Sequence, residues 1–530
     1  MNALKSPRWD RYREFRYDAP EIGFALDVSR VRFEDDYLAR MSGPIGSALA
    51  ALAALEGGAI ANRDENRMVG HYWLRAPELA PTEQLRIAIA EGVASVRAFA
   101  GRVHAGAVRG ADGRFEHVVH VGIGGSALGP QLLCEAERRS AARVSVHFLD
   151  NADPEAVDEL VTRVGSALGR TLVSVVSKSG WTPTPMHVLS ALAKTYERHG
   201  LDLAHHAVAT TVVGSELDRR AVSEGWLARF PLWDWVGGRT SVTSAVGLLP
   251  AALHEIDVAG FLDGAAAMDR LARDPDPRRN PAALLALMWY RLGHGRGDCD
   301  MVVVPYKDRL ALFGRYVQQL VMESVGKRLD RSGAIVHQGL TVFGNKGSTD
   351  QHAYFQQLRE GPANFFVTFV DVRGEGTGPP AEIEPGTTLG DYLFASLEAT
   401  RNALYERGRD SITIVLPDAG PRALGALIAL FERAVGLYAE LIDVNAYHQP
   451  GVDKQVADDV VALQRAVLHD LEGSAVPRTA DEIADRIGRP DDVETVYKLL
   501  ERLAQDPRRG VRATPGSARF TERFELESQP

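Results

Sequence analysis

Four apolar runs separated by helix-length segments constrain the middle of this chain more than any other feature. His117 to Val121, Val144 to Leu149, Thr171 to Val176 and Ala207 to Val213 are short and β-branched, as strands buried on both faces are. Helical segments fill the intervals, and that alternation predicts parallel βαβ units in an α/β, doubly wound sheet. A second series, Met301 to Pro305, Phe365 to Val370 and Ser411 to Leu416, predicts a second parallel-sheet domain. The Asp- and Pro-rich segment Arg273 to Arg279 marks the boundary between them. Two such domains side by side place a ligand in the cleft between them.

Ahead of the first sheet, residues 1–115 read as a helical shell, with amphipathic stretches at Ile45 to Leu55 and Glu83 to Phe99. The end of the chain changes texture. Thr479 to Gly488, Asp491 to Ala504 and Gly510 to Phe524 read as helix, turn, helix and short β-ribbon, which resembles a small winged-helix module. The expected division is therefore 1–115, 116–275, 276–473 and 474–530.

Composition narrows the function classes. With 45% hydrophobic and 25% charged residues over 530 positions, the chain reads as a globular protein of several domains. A formal net charge of −10 argues against general nucleic-acid affinity. From Ser474 onward ten basic residues face eleven acidic ones, so the module advertises no nucleic-acid face either. Only Cys134 and Cys299 are present, without the spacing of a disulfide framework or a CxxC metal site. No signal-peptide core or membrane-length apolar run is apparent, and a cytoplasmic home is expected.

Two loops carry the anion chemistry. After the strand ending at Val176, the turn Ser177-Lys-Ser-Gly-Trp-Thr182 offers hydroxyls from Ser177, Ser179 and Thr182. The helix expected from about Pro183 leaves its first amides unpaired there, which is where a phosphate is best held. After Val121 comes Gly122-Ile-Gly-Gly-Ser-Ala-Leu-Gly129, where missing side chains let a ligand approach the backbone. Gly122, Gly124 and Ala127 also satisfy a dinucleotide pattern, with Asp150 as a candidate ribose ligand. The second, hydroxyl-rich loop argues against that alternative, because one pyrophosphate needs one cradle.

Candidate acid, base and charge partners lie further along. In Arg315 to Lys327, Gln319 and Glu323 are four apart on one helix face and can meet one ligand together. The apolar neighbours Leu320, Met322 and Val325 predict a partly desolvated carboxylate, which suits a general base. His352 falls in the loop Asn345 to Tyr354, and Gly237 and Gly238 give Arg239 the freedom to present a guanidinium to a developing oxyanion. Asn445 to Gln455 brings Gln449 and Lys454 around a Pro-Gly turn.

Taken in order, Gly122 to Gly129, Ser177 to Thr182, Gly237 to Pro250, Gln318 to Lys327, Gly344 to Gln357 and Asn445 to Lys454 resemble the phosphoglucose isomerase family. Asn66 to Arg75 is similar to that family's N-terminal helix, the appended module lies outside the family's common core, and chains of this divergent kind resemble the isomerase half of transaldolase-isomerase fusions. The resemblance implies two sugar-isomerase (SIS) domains and interconversion of glucose 6-phosphate and fructose 6-phosphate, with no cofactor and no metal. By motif position it implies phosphate binding by Ser177, Lys178, Ser179 and Thr182, and a sugar pocket lined by Gly125, Ser126, Gly238, Gln319 and Gln449. Glu323 matches the base that moves a proton between C1 and C2 through a cis-enediol, and Arg239 the group that steadies the enediolate. His352 and Lys454 match the groups that open the sugar ring, the histidine being supplied by the other subunit of a homodimer.

The turn before Lys454 is two residues shorter than is usual in the family, and Ser179-Gly-Trp stands where a Thr-rich sequence is common. Two rival functions remain at this level: an NAD-dependent sugar-phosphate dehydrogenase using the Gly122 loop, and a phosphosugar-sensing regulator whose terminal module binds DNA. Glu323, Arg239 and His352 together favour the isomerase, since a sensor needs no proton shuttle. Acceptance of mannose 6-phosphate is left open.

Overall fold

A computed structural model describes residues 7–137, 142–376, 378–379, 381–451, 456–474 and 476–527. The chain divides after Gln449 into a large unit and a small one beginning at Pro450.

Among the described residues the large unit is built on a five-stranded and a six-stranded sheet, with three small two-stranded ribbons beside them. Strands β1 (Arg16–Ala19) and β2 (Phe24–Asp27) form an antiparallel hairpin. Five parallel strands follow: β3 (His117–Val121), β4 (Ser145–Leu149), β5 (Thr171–Val176), β6 (Ala207–Thr211) and β7 (Ala228–Pro231). They lie in the order β4-β3-β5-β6-β7. Strands β8 (Asp300–Pro305), β9 (Val342–Phe343), β10 (Phe365–Val372) and β11 (Ser411–Leu416) build the second sheet, ordered β1-β2-β11-β10-β8-β9. Its four later strands are parallel to one another, and the hairpin joins antiparallel through β2 against β11.

The apolar runs became strands because both faces are covered. Every residue of β5 and of β11 is buried. Each fully buried Val, Ile or Leu side chain contributes roughly 1.5–3 kcal/mol. The N-terminal region departs from an all-helical shell. Helices Ser42–Glu56 and Glu83–His104 are present, yet β1 and β2 extend the second sheet, and Asn66 to Arg75 holds a short 3-10 helix over His71–Arg75.

Helix Pro421–Leu441 runs through the centre of the second half, buried without interruption from Ala423 to Ala439. A helix apolar on all sides must be enclosed, and helix Val258–Leu271 encloses it closely. A methyl group at Gly425 would lie 2.0 Å from the Phe261 carbonyl oxygen. The two charges this helix buries, Glu432 and Arg433, are both paired. Arg75 clamps Asp269 through two bonds of 2.6 and 2.9 Å, Arg433 reaches Asp269 at 2.8 Å, and Glu432 pairs with Arg75. Burial opposes ionisation, but Arg433 and Arg75 hold the Asp269 carboxyl well below the usual carboxylate range. The cluster ties the N-terminal segment to both helices.

The small unit begins ahead of residue 474 and takes in helix Val456–Glu472. Helices Ala480–Arg486 and Val493–Gln505 follow, then an antiparallel ribbon of Val511–Thr514 and Arg523–Leu526. Val467, Leu471, Ile483, Val496, Leu500 and Phe524 form its own core. Among the described residues, no helix is long and apolar enough to cross a membrane.

Candidate active site

In the first sheet the chain steps from β3 to β4 on one side, then back to β5 on the other. At such a switch point the loops leaving the carboxyl ends of neighbouring strands diverge and leave a crevice. The two loops at this crevice are the glycine loop after β3 and the hydroxyl turn after β5.

The hydroxyl turn is preformed. Gly180 adopts φ +76°, in the left-handed region that glycine tolerates, and its N–H donates to Ser177 Oγ at 3.0 Å. Ser177 Oγ in turn donates to Thr182 Oγ1 at 3.4 Å, and the Trp181 N–H donates to Ser179 Oγ at 3.2 Å. Helix Pro183–Arg198 begins immediately afterwards, with Thr182 as its N-cap by backbone geometry but without a side-chain capping bond. Pro183 at the first helical position has no N–H to leave unsatisfied. The Lys178 ammonium crosses to the neighbouring loop, donating to the carbonyls of Asp234 at 2.7 Å and Val236 at 2.9 Å. It thus ties the turn to the segment that carries Gly237, Gly238 and Arg239. Trp181 stands 71% exposed on the turn's rim, which its apolar character did not lead one to expect.

The glycine loop uses its missing side chains to meet protein. A methyl group at Gly125 would lie 2.1 Å from the Gly238 carbonyl oxygen, and one at Gly124 would lie 3.0 Å from Gln319 Nε2. Ser241 Oγ donates to the Gly125 carbonyl at 3.3 Å. Beneath the loop His120 is fully buried and donates from Nε2 to the Ser126 carbonyl at 2.7 Å. Burial pushes the imidazole down to about 4, so it stays neutral. Asp150, the candidate ribose ligand, accepts from Gln131 at 2.9 Å. Of the glycines in the dinucleotide pattern, Gly122 packs against Ser126 and Gly124 against the Gln319 side chain.

Across the crevice stands helix Phe313–Val325, which follows β8. Gln319 and Glu323 share a face, and Gln319 Nε2 donates to Glu323 Oε2 at 2.9 Å. Glu323 Oε1 accepts from Arg239 Nη1 at 2.9 Å, with the carboxylate side chain 18% exposed. Each carboxylate oxygen keeps a second acceptor direction for a substrate proton.

Arg239 is fixed from every side. Its Nε donates to Ser324 Oγ at 2.8 Å, Nη1 also reaches Gln449 Oε1 at 3.5 Å, and Nη2 donates to the carbonyls of Ala446 and of His448, the latter at 3.2 Å. Burial draws its pKa below the ordinary guanidinium value while Glu323 opposes the shift. A guanidinium this restrained reorganises little when charge develops beside it.

The structure therefore brings Glu323, Gln319, Arg239 and Gln449 into one hydrogen-bonded group, with Gly125 and Gly238 packed against it. Ser177, Lys178, Ser179, Thr182 and Ser126 occupy the adjoining loops. His352 ends a 3-10 turn over Thr349–His352 and is exposed, and among the described residues no hydrogen bond joins it to Glu323 or Arg239. Lys454 lies outside the described residues. Ser324 was missed by the sequence reading. The signal was present, since a serine beside the candidate base in a helix's last turn can reach what the base reaches.

A two-sheet α/β protein with a phosphate-type turn facing a carboxylate and guanidinium pair belongs among proteins that handle small phosphorylated metabolites. A family model described as phosphoglucose isomerase matches residues 37–375, and the chain belongs to that family. The glucose-6-phosphate isomerase of Nostoc punctiforme is 53% identical over 503 residues, covering 94% of this chain and 95% of that protein. That of Geobacter sulfurreducens is 52% identical over 520 residues, covering 97% and 98%. Among solved structures, a glucose-6-phosphate isomerase from Chlamydia trachomatis superposes with a TM-score of 0.78 at 28% identity, over 86% of this chain and 91% of that one. Neither the dehydrogenase nor the regulator reading finds support among these relatives.

Proposed function

We propose that this chain interconverts glucose 6-phosphate and fructose 6-phosphate by proton transfer through a cis-enediol. The observation that carries the reading is the Glu323 carboxylate held between Arg239 at 2.9 Å and Gln319 at 2.9 Å. A C–H proton next to a carbonyl is weakly acidic, so a base and a positive partner for the enediolate must act together. Ser177, Lys178, Ser179 and Thr182 hold the phosphate, the hydroxyls and helix amides directly and Lys178 by joining the turn to the Arg239 loop. Gly125, Ser126, Gly238, Gln319 and Gln449 line the sugar pocket.

The steps balance without an added oxidant or reductant. His352 protonates the ring oxygen while Lys454 relays the C1 hydroxyl proton, giving the open-chain aldose. Glu323 then takes the C2 proton, the electron pair forms the C1–C2 double bond, and the aldehyde oxygen gains a proton. Loss of the C2 hydroxyl proton and return of a proton from Glu323 to C1 yields the ketose. Arg239 neutralises the negative charge between those two transfers.

The same reading makes 116–275 and 276–473 two SIS domains, follows residues 1–115 with the first of them, and makes 474–530 a winged-helix-like module outside the reaction. It also makes the protein a cytoplasmic homodimer that binds no nucleic acid and in which His352 serves the neighbouring subunit's site. The exposure of His352, which no hydrogen bond joins to Glu323 or Arg239 among the described residues, supports that arrangement.

The test is conversion of fructose 6-phosphate to glucose 6-phosphate in metal-chelated, NAD-free buffer, with product read in a separate coupled step after quenching. Turnover under those conditions supports the reading. A folded but silent protein overturns it.

A further inference from the structure

Glu323 and Arg239 are held from a third point that the proposed mechanism does not use. Helix Phe313–Val325 ends at Gly326, whose N–H donates to the Met322 carbonyl at 2.9 Å, and Lys327 follows at once. The Lys327 side chain folds back under the helix end. Its Nζ donates to the carbonyl of Glu323 at 2.7 Å and to that of Ser324 at 2.8 Å. These are last-turn carbonyls that the helix itself cannot satisfy, and they form the negative end of its dipole. Lys327 is only 4% exposed, an unusual place for an ammonium group.

The two clamped residues are those whose side chains hold Arg239. Glu323 accepts from Nη1 at 2.9 Å and Ser324 accepts from Nε at 2.8 Å. One cation thus fixes two adjacent backbone units, and those units present two acceptors to a second cation. We propose that Lys327 is a positioning residue of the isomerisation site, its buried ammonium setting the spacing between the Glu323 carboxylate, the Ser324 hydroxyl and the Arg239 guanidinium. This inference rests on the isomerase reading given above.

The electrostatic surroundings give the residue a second effect. Burial and Arg239 push the Lys327 ammonium down to about 7, against the pull of Glu323 and Asp64. His448, on the loop before Gln449, is the fourth titratable or charged group facing it, and Lys327 helps lower the His448 pKa after burial. The positive charge below the base therefore fades as pH rises past neutrality, while both backbone contacts can persist through the remaining N–H donors. Charge and clamp are separable in an experiment.

The test measures kcat, KM and the pH profile of kcat for wild type, Lys327→Met and Lys327→Gln, with the folded fraction of each followed by thermal unfolding. The expected result for Lys327→Met is a fall in kcat of about 10²-fold at nearly unchanged KM, because reacting groups lose alignment while phosphate binding is untouched. Its pH profile should also lack one ionisation that the wild type shows. Lys327→Gln keeps amide donors without the charge and is expected to recover part of kcat but not the ionisation. Wild-type kcat with an unchanged profile in either folded variant overturns the assignment. So does activity that falls only in proportion to the folded fraction. A wild-type protein inactive on fructose 6-phosphate would instead overturn the isomerase reading itself, so the two failures are distinguishable.

Discussion

Glu323 and Arg239 are 84 residues apart in the chain and meet at 2.9 Å, the carboxylate coming from the helix after β8 and the guanidinium from the turn after the first sheet. The contact joins the helix after β8 of the second sheet to the loop segment that follows the first sheet. In the proposed reaction it would concentrate the charge requirements in one partly buried pair.

Arg239→Lys should therefore fold but turn over slowly. A lysine ammonium cannot meet Glu323, Ser324, Gln449 and the two carbonyls of Ala446 and His448 at once. Losing a fixed donor to a developing oxyanion costs roughly 10²- to 10³-fold in kcat. Steady-state kinetics on fructose 6-phosphate measure it, and a loss of less than a factor of a few would show that the guanidinium is not the charge partner.

Mixing subunits tests the place of His352. Glu323→Gln and His352→Asn should each be nearly inactive alone. If His352 serves the neighbouring site, a mixed dimer carries one intact site, and co-refolding equal amounts should restore about a quarter of wild-type activity. No recovery in verified mixed dimers would place the histidine in its own subunit's site.

Stability should respond sharply to the buried cluster behind the site. Asp269 accepts from both Arg75 and Arg433 with no exposed side-chain surface. Asp269→Asn leaves those cations without their shared carboxylate and should cost about 3–5 kcal/mol by denaturant unfolding. A change no larger than that of a surface substitution would mean the cluster is not a stabilising junction.

His120 predicts an acid dependence of stability. Its folded pKa of about 4 lies below the ordinary value of 6.5. The unfolded chain binds the proton more readily, so the contribution is complete above pH 6.5 and is lost as pH falls toward 4. The full effect is about 3 kcal/mol. The slope of unfolding free energy between those limits should flatten in His120→Gln, and an unchanged slope would exclude the histidine as its source.

Much of the first sheet was legible because strands covered on both faces are written as unbroken apolar runs, and His117–Val121 and Thr171–Val176 begin and end where those runs do. The N-terminal hairpin was not. Arg16–Ala19 and Phe24–Asp27 are four residues each, and what makes them strands is the pairing of Asp27 with Thr413, nearly four hundred residues away. In the site, the four-residue step from Gln319 to Glu323 could be read from helix geometry alone. The five acceptors around Arg239 could not, since they come from two segments, 323–324 and 446–449, that lie more than a hundred residues apart and far from Arg239 in sequence. Lys327 stood in plain view after a glycine helix stop, but only the fold shows that its side chain turns back beneath the base.

The central claim is that Glu323 moves the proton. The most direct measurement is turnover of fructose 6-phosphate in D2O by wild type and by Glu323→Gln, with deuterium at C2 of the glucose 6-phosphate product read by NMR. The account predicts C2 deuterium in the wild-type product and loss of turnover in the variant. Wild-type turnover by Glu323→Gln would contradict it.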